Sequence, residues 1–268
     1  KAAEAWRAIV LFSEHTWGAS DSVSNPDGEG PRAQWDYKKA FAERAEQLSE
    51  ELIAGAAGRS NVTLAAGGRQ AIDVVNTCSW KRTDVVTVPA ALSAVGDLVR
   101  DAAGTAVPSQ RLRTGELAFV AEAVPGFGAR RYFVEEGRAV VKGDARADGM
   151  ARITLNDPGG EYGVENGRIS ALVSLDSGAI RSLHWSEGSG HELVDPALQP
   201  GLAHYLYVPG VDPRAAKTVS RVAFKNGETG PLVASLIVES DAPGAAGLRR
   251  EYRVVDGLSR LDVSVTID

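Results

Sequence analysis

The sequence predicts an α+β chain that is mainly β, a short helical-bundle segment followed by antiparallel β-sandwich domains. Three observations carry this. Apolar residues recur at helical spacing as far as residue 57. From residue 61 onward they fall in short runs separated by Gly, Asp, Asn and Pro. The pairs Asn166-Gly167 and Asp256-Gly257 then sit between such runs, where tight hairpins place them.

Taken in order, residues 2–12 put Ala2, Ala5, Trp6, Ile9, Val10 and Phe12 on one helical face. A second helix is expected over 32–57, where Phe41, Ala45, Leu48 and Leu52 form an apolar stripe among Lys38, Lys39, Glu43, Arg44 and Glu50. Pro31 suits a first helical turn and the glycines at 55 and 58 supply a stop. Two such helices cannot bury both stripes alone, so a third is expected ahead of Lys1, and the chain reads as a piece of a longer protein.

Strands are expected at 71–76, 83–88, 116–123, 130–135, 152–156, 160–165, 168–175, 180–185, 204–208, 218–225, 232–239, 248–255 and 261–267. Strands so short and closely spaced argue for antiparallel sandwiches. A Gly-, Asp- and Arg-rich stretch at 137–149 marks a border. The expected organisation is a helical-bundle segment at 1–60, a small β-sandwich at 61–140 and the start of a larger β domain at 141–268, truncated after its last strand.

Composition narrows the function classes. An apolar share of 44% with 24% charged residues is that of a globular chain. A formal net charge of −6 argues against a nucleic-acid partner, which calls for a basic face. No apolar run approaches the roughly twenty residues of a membrane-spanning helix, so no membrane partner is expected. The start, Lys1-Ala2-Ala3-Glu4-Ala5, has an acid where a signal peptide would be apolar. The compartment, cytoplasmic or secreted, is left open. The single cysteine, Cys78, rules out an internal disulfide and is expected to be a buried structural thiol.

Familiar catalytic motifs are missing. Gly126-Phe127-Gly128 lies between two strands and reads as a hairpin turn rather than a phosphate loop. His191-Glu192 begins like a zinc-protease motif, but the residue four after His191 is Asp195. His184 and His204 sit in strand-like runs and read as structural. Asn61-Val62-Thr63 matches a glycosylation acceptor, a pattern common by chance. The loop Glu14-His15-Thr16-Trp17-Gly18 differs, because a His and a Trp beside a Gly at a helix end are unusual loop material. It is the stretch expected to face a substrate. His15 could equally cap its helix or meet the helix dipole, and one His cannot hold a zinc ion alone. Glu14, Asp21 and Asp27 flank the loop and are general acid–base candidates by type only.

The run Leu11-Phe12-Ser13-Glu14-His15-Thr16-Trp17-Gly18-Ala19, followed by Gln34-Trp35-Asp36-Tyr37-Lys38 and an amphipathic helix, resembles glycoside hydrolase family 38, the α-mannosidases. It is most similar to a bacterial branch with a His-Thr-Trp-Gly loop. Asn76-Thr77-Cys78-Ser79-Trp80-Lys81-Arg82 resembles the family's Asn-x-x-Ser-Trp-x-Arg strand. The stretches at 164–169, 176–183 and 192–194 resemble the opening of its large, galactose-mutarotase-like β-supersandwich.

The resemblance implies a retaining, zinc-dependent glycosidase with an N-terminal α/β barrel, a helical bundle and C-terminal β domains. It implies that His15 is one metal ligand, that Thr16 and Trp17 meet the carbohydrate substrate, and that the nucleophile and other Zn2+ ligands belong to the barrel. Two departures matter. Thr16 stands where many members carry a substrate-binding Asp, and no His here is followed two residues later by Asp. The chain alone is therefore expected to be inactive, with no catalytic residue of its own. From the residues alone, the alternative is a carbohydrate-binding or scaffolding β-sandwich module in which Trp17, Trp35 and Trp185 fill a core or stack on sugars.

Overall fold

The computed structural model describes residues 1–14, 21–57, 69–141, 150–156, 161–195, 197 and 200–268. It divides into two compact units, residues 1–63 and 64–268.

In the first unit α1 spans Ala2–Phe12 and α2 spans Glu29–Ala57. Lys1 pairs with Glu51 at 2.8 Å, Glu4 with Arg44 at 2.6 Å and Glu14 with Lys38 at 2.5 Å, so the helices run antiparallel. Their contact is built from small residues: Ala5 and Ala8 of α1 and Ala45 of α2 are buried, and Leu48 is the large side chain fully covered. The stripe read for α2 is therefore centred correctly. That read for α1 is not, because Trp6 and Val10 are 66% and 63% exposed while Ala8, left out of the reading, is buried. Alanine permits close approach of two helix axes, whereas the larger side chains flanking that line project outward.

The second unit contains sixteen strands among the described residues. The first seven are β1 Gln70–Asn76, β2 Arg82–Val88, β3 Leu98–Asp101, β4 Ala106–Val107, β5 Ser109–Arg111, β6 Leu117–Val124 and β7 Gly128–Glu135. They form a four-stranded sheet in the order β1-β7-β3-β4 and a three-stranded sheet in the order β2-β6-β5. Val99, Leu117, Phe119, Tyr132 and Val134 fill the space between the two sheets, with the Phe119 and Tyr132 rings 4.8 Å apart. The remaining strands are β8 Arg152–Asn156, β9 Glu161–Glu165, β10 Ile169–Val173, β11 Ile180–Trp185, β12 His191–Glu192, β13 Ser220–Thr229, β14 Val233–Asp241, β15 Leu248–Val255 and β16 Asp262–Ile267. They form sheets ordered β12-β11-β10-β9-β8 and β13-β14-β15-β16, all neighbours antiparallel. Their shared core holds Val164, Val173, Leu236, Val238, Tyr252 and Val254. The α+β, mainly β class with antiparallel sandwiches is thus the observed one.

Two details differ from the sequence reading. Residues 204–208 form no strand but a loop with one isolated antiparallel bridge, Tyr207 to Lys217, with N···O distances of 2.9 and 2.7 Å. Tyr205 packs against Val219 and Leu248, and its hydroxyl donates to the Pro243 carbonyl at 2.7 Å. Conversely β3, β4 and β5 are strands beyond those the sequence predicts, because Gly104 and Pro108 cut them into pieces of two to four residues.

A buried amide welds the two sandwiches together. Gln110 accepts from the Leu232 and Val233 amides at 3.1 and 2.9 Å and donates to the Val233 carbonyl at 3.0 Å. Its side chain thereby imitates a strand residue at the start of β14. A small apolar cluster, Leu112 and Ala118 with Leu232, Val233, Val255 and Leu258, excludes water from this seam. Within the second sandwich, Asn166 ties one sheet to the other by donating to the Val255 and Leu258 carbonyls at 2.6 and 2.7 Å.

Candidate functional site

The helix hairpin ends where the sequence places its unusual loop. The last turn of α1 closes with the Ser13 amide donating to the Ile9 carbonyl at 2.9 Å. Beneath it lies Lys38, 7% exposed, whose Nζ reaches Glu14 Oε2 at 2.5 Å and the Leu11 carbonyl at 3.3 Å. A cation at a helix C-terminus is favoured by the dipole, and burial here makes the carboxylate partner obligatory. On the far side of the loop Arg32 pairs with Asp27 at 3.2 Å, and both are largely exposed. Glu14 is thus a structural partner of Lys38, and Asp27 a solvated loop acid. His15, Thr16 and Trp17, the residues expected to bind metal and substrate, lie outside the described residues. So does Asn61-Val62-Thr63.

The other histidines do not converge on a site. His184 and His191 sit on neighbouring strands β11 and β12, with Ser186 3.4 Å and Ser189 3.5 Å from their ring nitrogens. Glu192, which follows His191, is engaged by Ser182 Oγ at 2.5 Å and by the Leu183 and Val194 amides at 2.8 and 2.9 Å. Desolvation acts to raise its pKa, but these donors outweigh it and hold the carboxyl below the ordinary range. It pins a loop and has no proton to give. Among the described residues no three His, Cys, Asp or Glu side chains come close enough to hold a metal ion. Cys78 is half-buried rather than buried, 3.7 Å from the Arg82 guanidinium, because the loop after β1 leaves it at the rim of the sandwich.

One polar cluster was not foreseen. Arg250, 1% exposed, takes a core register of β15 with Leu248, Tyr252 and Val254. Its guanidinium donates to the Ser177 carbonyl at 2.7 Å and the Ala203 carbonyl at 3.1 Å, while Tyr252 Oη donates to the Gly178 carbonyl at 2.5 Å. Gly178 has φ +64°, and a side chain there would strike Arg250 and Val238. Burial pushes the Arg250 pKa down and that of Tyr252 up, and burial together with the nearby Arg250 charge pushes His204 down. The cluster ties the turn before β11 and the loop at 203 to the second sheet. It contains no nucleophile and no carboxylate. The signal available in the sequence was an Arg at an inward position of the alternating run Leu248-Arg249-Arg250-Glu251-Tyr252.

No protein-family model matches the chain, and no curated protein matches it. Among solved structures it is similar to a protein of glycosyl hydrolase family 38 from Enterococcus faecalis, with a TM-score of 0.53 and 13% identity. The match covers 98% of this chain and 38% of that one, so the chain spans well under half the length of its structural neighbour. At that identity the likeness is one of fold: the chain has a glycosyl hydrolase family 38-like architecture.

Proposed function

We propose that this chain is the helical and β portion of a glycoside hydrolase of the α-mannosidase type, acting on carbohydrate with retention of configuration. The observation that carries the reading is the agreement of two independent things. The loop motif at 14–18 and the motif at 76–82 resemble that family in sequence, and 98% of the chain matches a family 38 structure in fold. In this reading His15 is one ligand of a Zn2+ ion whose other ligands, with the carboxylate nucleophile, come from a barrel domain outside these residues. Thr16 and Trp17 lie against the sugar. Bound zinc would supply Lewis-acid polarisation of substrate oxygens. The part assigned to this chain is to present the loop from a hairpin whose end Lys38 clamps.

A second reading is a sugar-binding or scaffolding module without catalysis, in which exposed aromatic rings such as Trp35 stack on sugars. Hydrolysis of an aryl α-mannoside by the complete protein separates the two. The enzyme reading expects turnover that His15→Ala abolishes while the thermal transition of the β portion stays put. Undiminished turnover in His15→Ala overturns the role of His15, and no glycosidase activity in the complete protein favours the module.

A further inference from the structure

The loop after β1 and the β6–β7 turn form a rigid tip. Asn76, 5% exposed, donates from one amide nitrogen to the Trp80, Val124 and Pro125 carbonyls at 2.7, 3.1 and 3.2 Å, and its oxygen accepts from the Cys78 amide at 3.0 Å. The Phe127 amide donates to the Cys78 carbonyl at 2.9 Å. Phe127 holds φ +48°, an uncommon conformation for a bulky residue and one that costs energy. With so much fixing the backbone, the side chains it carries are not buried: Trp80 is 65% and Phe127 77% exposed. Rings this large, preorganised and left in water, mark a contact surface.

What lies beside them indicates the ligand. Four residues along β7, about 13 Å at strand rise, Arg131 makes a two-pronged pair with Asp73 at 2.7 Å on each arm. Asp73 and Val75 face outward opposite Arg131 and Ala129 in the β1–β7 register. An open cleft of about 360 Å³ adjoins, lined by the 101–103 turn and residues 129–132. Its polar groups include Arg130 and Asp101; one Asp101 oxygen is taken by the Ala103 and Thr105 amides at 2.9 and 2.8 Å. The cleft has the volume of a small-molecule site. The apolar part amounts to two rings and a valine, much less than the roughly 800 Å² per partner of a stable protein interface. Exposed ring faces for the C–H faces of a sugar, with planar charged forks that donate to and accept from neighbouring hydroxyls, are the complement of a glycan.

We propose that the surface from Trp80 and Phe127 to the Asp73–Arg131 fork and the Asp101 cleft binds a carbohydrate chain. It rests on the carbohydrate reading above for the ligand class. The test is titration of the 268-residue chain with α-linked mannotetraose, and with cellotetraose in parallel, read by tryptophan fluorescence and calorimetry. Saturable binding is expected. Trp80→Ala should weaken it about tenfold, as the loss of one stacked ring implies, and Arg131→Gln should weaken it severalfold; circular dichroism of both should match the parent. No binding of either sugar, or equal binding by the variants, overturns the proposal. So does shielding of Trp80 from acrylamide quenching in the complete protein without sugar, which would mean that another domain covers the tip. A complete protein that hydrolyses α-mannosides while the tip binds nothing overturns this inference alone. Tip binding in a complete protein without glycosidase activity overturns only the catalytic reading.

Discussion

The seam between the two sandwiches and the helix hairpin both bury polar groups, but on very different foundations. At the seam both polar atoms of the Gln110 side-chain amide meet backbone at 2.9–3.1 Å, and an apolar cluster lies beside them. In the hairpin the covered side chains are mostly alanines, one buried lysine is held by a partly exposed acid, and Trp6, Val10 and Ile53 face solvent. The β unit carries the means of its own stability. The hairpin carries a loop and little with which to hold it, and a surface of that kind fits a segment packed against neighbours. Low local stability is common where binding loops are presented.

Three substitutions break or sharpen that contrast. The largest effect is expected from Gln110→Ala, which strands two amides and a carbonyl at the seam; a loss on the order of 3 kcal/mol follows from the desolvation of unpaired groups. Urea unfolding measures it, and if the sandwiches were merely tethered side by side the midpoint would not move. Next comes Lys38→Met, which keeps the apolar stem but removes the bonds from Nζ to Glu14 and the Leu11 carbonyl. A cost of about 1 kcal/mol, confined to the helices, is expected because Glu14 is partly solvated. Hydrogen exchange should speed up in α1 and α2 and stay unchanged in β14 and β15.

The smallest effect concerns pH. Asp84 bonds to Arg260 at 2.8 Å and to Arg82, joining the first sandwich to the approach to β16. Desolvation acts to raise its pKa, but the Arg260 bond and charge lead the groups that hold it below the ordinary value. A carboxyl with a depressed folded pKa adds stability that is fully present above the unfolded value, about 3.9 for aspartate. That contribution is lost as pH falls through the lower folded value. Asp84→Asn should therefore be less stable than the parent at neutral pH, and the gap should close at the acid end. A gap that is constant with pH would assign the effect to shape rather than charge.

The sequence made some of this legible and hid the rest for physical reasons. The stripe through Ala45 and Leu48 and the glycine turns at 167 and 257 follow from local periodicity and local backbone demands. The face of α1 was misread because periodicity ranks Trp6 and Val10 above Ala8, while close helix packing ranks them the other way. Gln110 could not be assigned, since its partners lie 122 and 123 residues away and a Gln in a three-residue strand looks like any other. Arg250 is the same case at a core position. The loop proposed to face the substrate is known from the sequence alone: the motif at 14–18 is conspicuous there, while the described residues include only Glu14 of it, with the lysine that clamps that residue.

Metal content tests the central claim most directly. Elemental analysis would be run on the complete protein, on its His15→Ala variant and on the 268-residue chain alone. A glycosidase whose zinc site is shared between His15 and a separate barrel predicts stoichiometric zinc in the complete protein and little or none in the other two. Zinc undiminished in the variant, or no zinc in the complete protein, would contradict it.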